Sequence, residues 1–210
     1  MKFLLTSNID EIAIILFAII IGLPLPYLPI QILWINLVTD SMPALALSTE
    51  PGEKDVMVRK PRKKDENILT GLAPFIIIGG LLAFLVTTIL YSLEYISTEN
   101  LTKARTIAVT CTVFYELFFV FTCRSDKTLK EIGIFSNKKI VYAVLIVAIL
   151  QIIMIYSSLN NYLYFVPLDI IDWVTIIVFS SIGVISFEGW KYLKKKGIKK
   201  VKYEGQKIKK

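Results

Sequence analysis

The chain has 210 residues, 55% of them hydrophobic, with a mean hydropathy of +0.63, well above the roughly 45–50% apolar content of soluble domains, which excludes an ordinary water-soluble fold. A net charge of +7 does not mark a nucleic-acid binder, because the basic residues fall between apolar runs and at the C-terminus and form no stripe with interleaved aromatics. Histidine is absent, and Cys111 and Cys123 lie about 18 Å apart if they share a helix, so neither a disulfide between them nor an obvious soft-metal site is available.

Six apolar segments long enough to span a bilayer follow one another, at 3–23, 28–48, 69–96, 106–123, 140–159 and 168–190. The expected fold is all-α, a polytopic membrane helical bundle with six transmembrane helices. It divides into a first hairpin (1–48), a charged loop (49–67), four further helices (68–190) and a basic tail (191–210). The first run, IAIILFAIIIG, is preceded by Asp10 and Glu11 and followed by GLPLPYLP. It therefore lacks the small-residue cleavage site of a signal peptide. Three prolines and a glycine in GLPLPYLP stop one helix and force a tight hairpin into the next. In the third segment Gly79-Gly80 allows close helix packing.

Lysine and arginine set the expected orientation. The loop 49–67 carries six, the stretch 123–139 five and the tail ten, whereas the loop between the third and fourth segments has only Lys103 and Arg105. The positive-inside rule then puts both termini in the cytoplasm of an integral membrane protein, with the cell membrane as the expected location. The tail can bind anionic lipid headgroups or simply anchor the topology.

A charged side chain at mid-bilayer costs about 2.5–3.5 kcal/mol even on the insertion scale, so each one asks for a function. The first segment holds Asn8 and Glu11, spaced i, i+3; the second holds Asn36, Thr39 and Asp40, spaced i, i+3, i+4; the fourth holds Glu116 within TCTVFYELFFVF, without a basic neighbour. This all-oxygen set suits a hard divalent cation such as calcium, which takes six to eight oxygens in flexible geometry. Pro43 removes a backbone donor three residues after Asp40 and frees a carbonyl one turn earlier, as broken helices do at transporter midplanes. Any one Asn or Thr can equally be hydrogen-bonding glue between helices. Three carboxylates together favour a site.

SNIDEI at 7–12, LPIQILWINLVTDSMPALALSTEP after the hairpin, and then DVMVRKPR closely resemble the C-terminal membrane half of type II P-type ATPases, from the family's fifth transmembrane helix to its tenth. They are most similar to calcium pumps of the sarco/endoplasmic reticulum type and their bacterial and archaeal relatives. The resemblance covers essentially the whole chain and is most specific in the first 60 residues. It implies that Asn8 and Glu11 on the fifth helix, Asn36, Thr39 and Asp40 on the sixth and Glu116 on the eighth bind the transported calcium, with Asp40 bridging two ions. Sodium/potassium and proton/potassium pumps place an aspartate where Asn36 stands, and secretory-pathway calcium/manganese pumps lack the carboxylate at Glu11. The first difference favours calcium; the second sets the chain apart from the secretory-pathway pumps, which it resembles as well. Asp10 and Ser41 stand where that type usually has glycine, and Tyr115 adds bulk beside Glu116, which leaves ion number and affinity open.

The family's DKTGT phosphorylation motif, its nucleotide-binding domain and the fourth helix with its PEGL glutamate are not among these residues. The expectation is therefore that ATP and magnesium act only through the cytoplasmic domains of an N-terminal half. That half and membrane lipid are the expected partners, with no nucleic acid. The loop 49–67 resembles the one that docks on the family's phosphorylation domain. Alternatives are a non-catalytic membrane scaffold or remnant, or a pump for manganese, sodium or protons.

Overall fold

A computed structural model describes the backbone of residues 1–52, 69 and 71–207, and side chains within that range as far as residue 196. Most of the charged loop expected at 49–67 lies outside the described residues. Six helices are long and apolar enough to cross a membrane: Lys2–Ile21, Pro29–Leu47, Ala73–Thr98, Leu101–Cys123, Lys138–Tyr156 and Ile170–Lys196. No strand occurs among the described residues. The protein is an all-helical membrane bundle, as the apolar runs predict.

Helix α1 (Lys2–Ile21) ends where Gly22 adopts φ 78°, returning its N–H to the carbonyls of Ala18 and Ile19; only glycine enters that left-handed turn without strain, and the prolines beyond prevent the helix from resuming. Pro29 then opens the second span at a position where a missing N–H costs nothing. This span is not one regular helix. It comprises α2 (Pro29–Trp34), a π-helical turn (Ile35–Asp40) and α3 (Ser41–Leu47). Pro43 has no N–H to return to the Thr39 carbonyl, so the ladder is already interrupted here. The Ser41 hydroxyl donates instead to the Asn36 carbonyl, five residues back, at 2.9 Å.

Helices α4 (Ala73–Thr98) and α5 (Leu101–Cys123) follow. Asn100 caps α5 by accepting from the Lys103 amide at 3.0 Å, which starts the helix five residues before the apolar run at 106. Lys103 and Arg105 thus lie inside the helix rather than in a loop. Lys103 pairs with Glu94 and Asp172 at 3.4 and 3.1 Å, and Arg105 donates to the Leu25 carbonyl at 2.8 Å. Short α6 (Leu129–Ile132), α7 (Lys138–Tyr156) and short α8 (Asn160–Leu163) lead to α9 (Ile170–Lys207). Lysine is a good helix former and no proline intervenes, so the last span continues as helix through most of the basic tail.

Helix α5 is the centre of the bundle, packed against α1, α4, α7, α9 and the π-helical turn; 89% of its membrane window is buried, against 22% for α9. Close approaches fix these neighbours. A Cβ on Gly79 would lie 2.7 Å from the Phe119 ring, one on Gly80 2.6 Å from Ile9 and 3.0 Å from the Thr6 carbonyl, and one on Gly183 2.6 Å from the Tyr115 ring. The Gly79-Gly80 pair is therefore a notch where α1, α4 and α5 meet. Cys111 and Cys123 are both free and buried.

One end of the bundle is basic and tightly hydrogen-bonded. Arg124 forms an ion pair with Glu50 at 2.8 Å and donates to the carbonyls of Gly133 and Ile134 and to the Ser136 hydroxyl. Asn137 donates to the second Glu50 oxygen at 2.8 Å. Lys191 donates to the Thr122 carbonyl and to Glu188, both at 2.9 Å.

Candidate functional site

The π-helical turn places Asn36, Thr39 and Asp40 against α1 and α5, while α1 supplies Asp10 and Glu11 and α5 supplies Glu116. Asp40 is 1% exposed, Glu116 2% and Glu11 5%, so all three carboxylates sit inside the bundle, as their positions within apolar runs predict. Their partners differ. Both oxygens of Glu11 accept from the Asn36 amide, at 3.1 and 2.9 Å. Among the described residues both oxygens of Asp40 and both of Glu116 are buried without a well-formed hydrogen bond, the buried Ser7 hydroxyl of α1 lying near both. Asp40, Glu11 and Asp10 are the charged neighbours that Glu116 senses.

Leaving a buried charge unpaired costs several kcal/mol, and buried polar atoms without partners are rare enough in folded proteins to need a reason. Four such oxygens sit on two helices, and none of them forms an ion pair with a lysine or arginine among the described residues. The donor chemistry fits a hard ion. Among the described residues no three acidic, histidine or cysteine side chains close around one point as a finished metal centre would.

The remaining candidates are turned differently. Thr39 is fully buried and its hydroxyl donates to the Ile35 carbonyl of its own helix at 2.5 Å; its lone pairs remain able to accept. Asn8 is exposed and its amide donates to the Leu4 carbonyl at 2.6 Å. It stands on the flank of α1, beside Glu11 but outside the enclosed volume.

In the sequence Asp10 stands out as an acidic residue ahead of the first apolar run and as a departure from a family glycine, not as a site residue, yet its side chain is fully buried. Thr112 donates to one of its oxygens at 3.4 Å, and the other has no partner. The Thr112 hydroxyl is also shared with Tyr27 at 2.6 Å and Thr87 at 3.2 Å. Successive residues on a helix point about 100° apart, so Asp10 faces α4 and α5 while Glu11 faces the second span. The available signal was the acidic pair itself, since a helix with neighbours on two sides buries both members.

Residues 24–193 match the family described as "Cation transporting ATPase, C-terminus". The chain is 37% identical over 198 residues to a calcium-transporting ATPase of Bacillus subtilis (strain 168), covering 93% of this chain and 22% of that protein. It is 36% identical over 211 residues to calcium-transporting ATPase 1 of Bacillus cereus (strain ATCC 10987 / NRS 248), covering 92% and 24%. Over 165 residues it is 34% identical to the mouse calcium-transporting ATPase type 2C member 2, covering 74% and 17%. The chain thus spans less than a quarter of the length of these relatives. With the family match covering four-fifths of its residues, the chain belongs to the C-terminal membrane domain family of the cation-transporting P-type ATPases.

Proposed function

We propose that this chain is the ion-binding part of an ATP-driven calcium pump of the reticulum type, its six spans standing for the family's fifth to tenth helices and both termini lying in the cytoplasm. The observation that carries this reading is the set of four unpartnered carboxylate oxygens on Asp40 and Glu116 inside the bundle. Calcium needs six to eight oxygens. Asp40 and Glu116 offer theirs directly, and Glu11 adds two more once the Asn36 amide turns so that its carbonyl oxygen, rather than its NH2, faces inward. Thr39 contributes a hydroxyl oxygen. Asn8, on the exposed flank, meets the groups that an N-terminal half supplies, among them a further glutamate. Calcium is the cargo; ATP and magnesium act in that other half.

Charge balance supports two ions. Glu11, Asp40, Glu116 and one external glutamate, all ionised, match two calcium ions provided that Asp10, held by Thr112, stays protonated, and low dielectric penalises any mismatch by several kcal/mol. Equilibrium binding of radioactive calcium, measured on the protein in membranes with its N-terminal half, tests the reading. Two ions per phosphorylation site are expected, falling to one or fewer in Glu11→Ala. Asp40→Asn is expected to abolish calcium-activated phosphorylation by ATP. Near-normal activation of Asp40→Asn at micromolar calcium would refute the role given to Asp40, and one ion in the unmutated protein would refute the stoichiometry. A purely structural role fits Asn36 and Thr39, which are hydrogen-bonded within the fold; it leaves Asp40 and Glu116 unexplained, and it predicts no calcium binding at all.

A further inference from the structure

On the outer surface of the bundle, away from the carboxylates, a groove of about 490 Å³ runs between α4 and α9. It falls within the roughly 300–1,000 Å³ of ordinary ligand sites. Its walls are two helical stripes. Phe75, Ile78 and Leu82 form one, at i, i+3 and i+7 of α4; Ser186, Trp190 and Lys194 form the other, at i, i+4 and i+8 of α9, with Phe187 beside them. Phe75 and Phe187 make the floor, edge to face at 4.5 Å between ring centres. The groove follows the helix axes for about 12 Å, eight residues at ~1.5 Å each, and its chemistry changes along the way. Its deep end is apolar. Its mouth lies at the basic end, where Lys194 stands 5.1 Å from the Trp190 ring and where a smaller cavity joins it to Lys2, Asp126 and Lys191.

The charges at that mouth do not cancel. Asp126 pairs with Lys2, Glu188 with Lys191 and Glu131 with Lys195. Lys194 and Lys127, which line the adjoining polar cavity together with Asp126, Glu131, Lys191 and Lys195, form no ion pair among the described residues. An apolar channel parallel to the helices, an aromatic ring at its rim and surplus positive charge at its mouth match the order of parts in a phospholipid: acyl chain, glycerol, phosphate. Indole rings favour the level of the headgroups, and lysines near the surface attract anionic lipid.

We propose that the groove between α4 and α9 is a binding site for an anionic phospholipid, with an acyl chain along Phe75, Ile78, Leu82 and Phe187 and the phosphate at Lys194. The site is separate from the carboxylate cluster, and its assignment does not depend on which cation the bundle carries. Trp190 reports on it. The protein is reconstituted into phosphatidylcholine vesicles in which a minor component, either phosphatidylglycerol or phosphatidylcholine, carries brominated acyl chains, and the quenching of Trp190 is obtained by difference from Trp190→Phe. Brominated phosphatidylglycerol is expected to quench Trp190 more strongly than brominated phosphatidylcholine. Lys194→Gln, at an exposed position where the glutamine stem still covers the Trp190 ring, is expected to lower that preference, taken as a ratio of the two lipids within the same variant, about fivefold, the change that one surface lysine typically contributes. Replacing the lysines from Lys199 onward by Gln should leave it in place. Equal quenching by the two lipids, an unchanged preference in Lys194→Gln, or loss of the preference on neutralising the tail alone would each overturn the proposal. So would the absence of quenching by either lipid, which would mean that a protein helix fills the groove.

Discussion

At the basic end of the bundle each guanidinium nitrogen of Arg124 has an acceptor, whereas eight residues earlier on the same helix, about 12 Å deeper, Glu116 has no partner on either oxygen. Both side chains are enclosed, and both are ionisable groups in a largely apolar protein. The fold therefore can satisfy a buried charge when it builds the surroundings for it, as it does with Glu50, Gly133, Ile134 and Ser136 around Arg124. Around Glu116 and Asp40 it places only the Ser7 hydroxyl and other carboxyl groups. The first arrangement serves the fold alone; the second is poised for something the fold does not contain.

The strongest test of this contrast removes the partnered charge. Arg124→Ala strips Glu50 of its counter-ion and takes a donor from the Ile134 carbonyl, while the Gly133 carbonyl keeps Ser136; removing one member of such a buried pair typically costs about 3–5 kcal/mol. Thermal unfolding in mild detergent should show it as a large fall in midpoint. A loss below about 1 kcal/mol would place Arg124 with ordinary surface pairs and collapse the comparison. The unpartnered charge should respond with the opposite sign. In calcium-free buffer Glu116→Gln should leave stability unchanged or raise it by about 1–3 kcal/mol, because a neutral amide is less costly to bury without a partner than a carboxylate. The same variant should lose any stabilisation by added calcium. A destabilisation comparable to that of Arg124→Ala would instead make Glu116 a structural group.

The two halves of the comparison were unequally visible in the sequence. Glu11, Asp40 and Glu116 stand out because each interrupts an apolar run, and the six spans follow from the runs themselves. Arg124 looked like one more positive charge in a topology count, since its partner Glu50 is 74 residues away and no local pattern joins them. Hydrophobic periodicity could not help either: a helix that is apolar all round carries no stripe to say which side is inward. That is why Asp10 went unrecognised. The i, i+3 spacing of Asn8 and Glu11 promises one shared face, but 300° of rotation leaves them about 60° apart, enough to put Glu11 inside and Asn8 on the flank. The π-helical turn was foreshadowed only by Pro43, which marks where a ladder breaks and not how the chain widens around the break.

A finer test asks how rigidly the helices hold the unpartnered charges. Gly80 is pressed against Ile9 and the Thr6 carbonyl of α1, immediately beside Asp10 and Glu11. Gly80→Ala puts a methyl group where the nearest atoms include backbone, and overpacking of this kind costs about 1–3 kcal/mol. Calcium binding should weaken in the same variant, because α1 can give way only by shifting its two carboxylates. Lower stability with unaltered calcium binding would show that the site tolerates movement of α1 and is less pre-organised than the packing implies.

The smallest effect belongs to an exposed counterpart of the Arg124 cluster. Glu131 on α6 accepts from Lys195 of α9 and from the backbone and hydroxyl of Thr128, and these bonds, the lysine's first, hold its carboxyl down at about 2 from the usual value of 4.5. A carboxyl lowered in the folded state adds stability that is fully present above its unfolded pKa, near 4.3, and disappears as pH falls toward the folded value. The difference in stability between the unmutated protein and Lys195→Gln should therefore be constant from neutral pH to about 5 and shrink to nothing between there and about 2. Because the pair faces solvent, it should shrink further in about 1 M salt, where charges are screened within about 3 Å. Unfolding midpoints across that pH range at low and high salt provide the check. A difference that survives below pH 2, or that grows as pH rises above neutrality, would mean that Lys195 stabilises α9 through something other than Glu131.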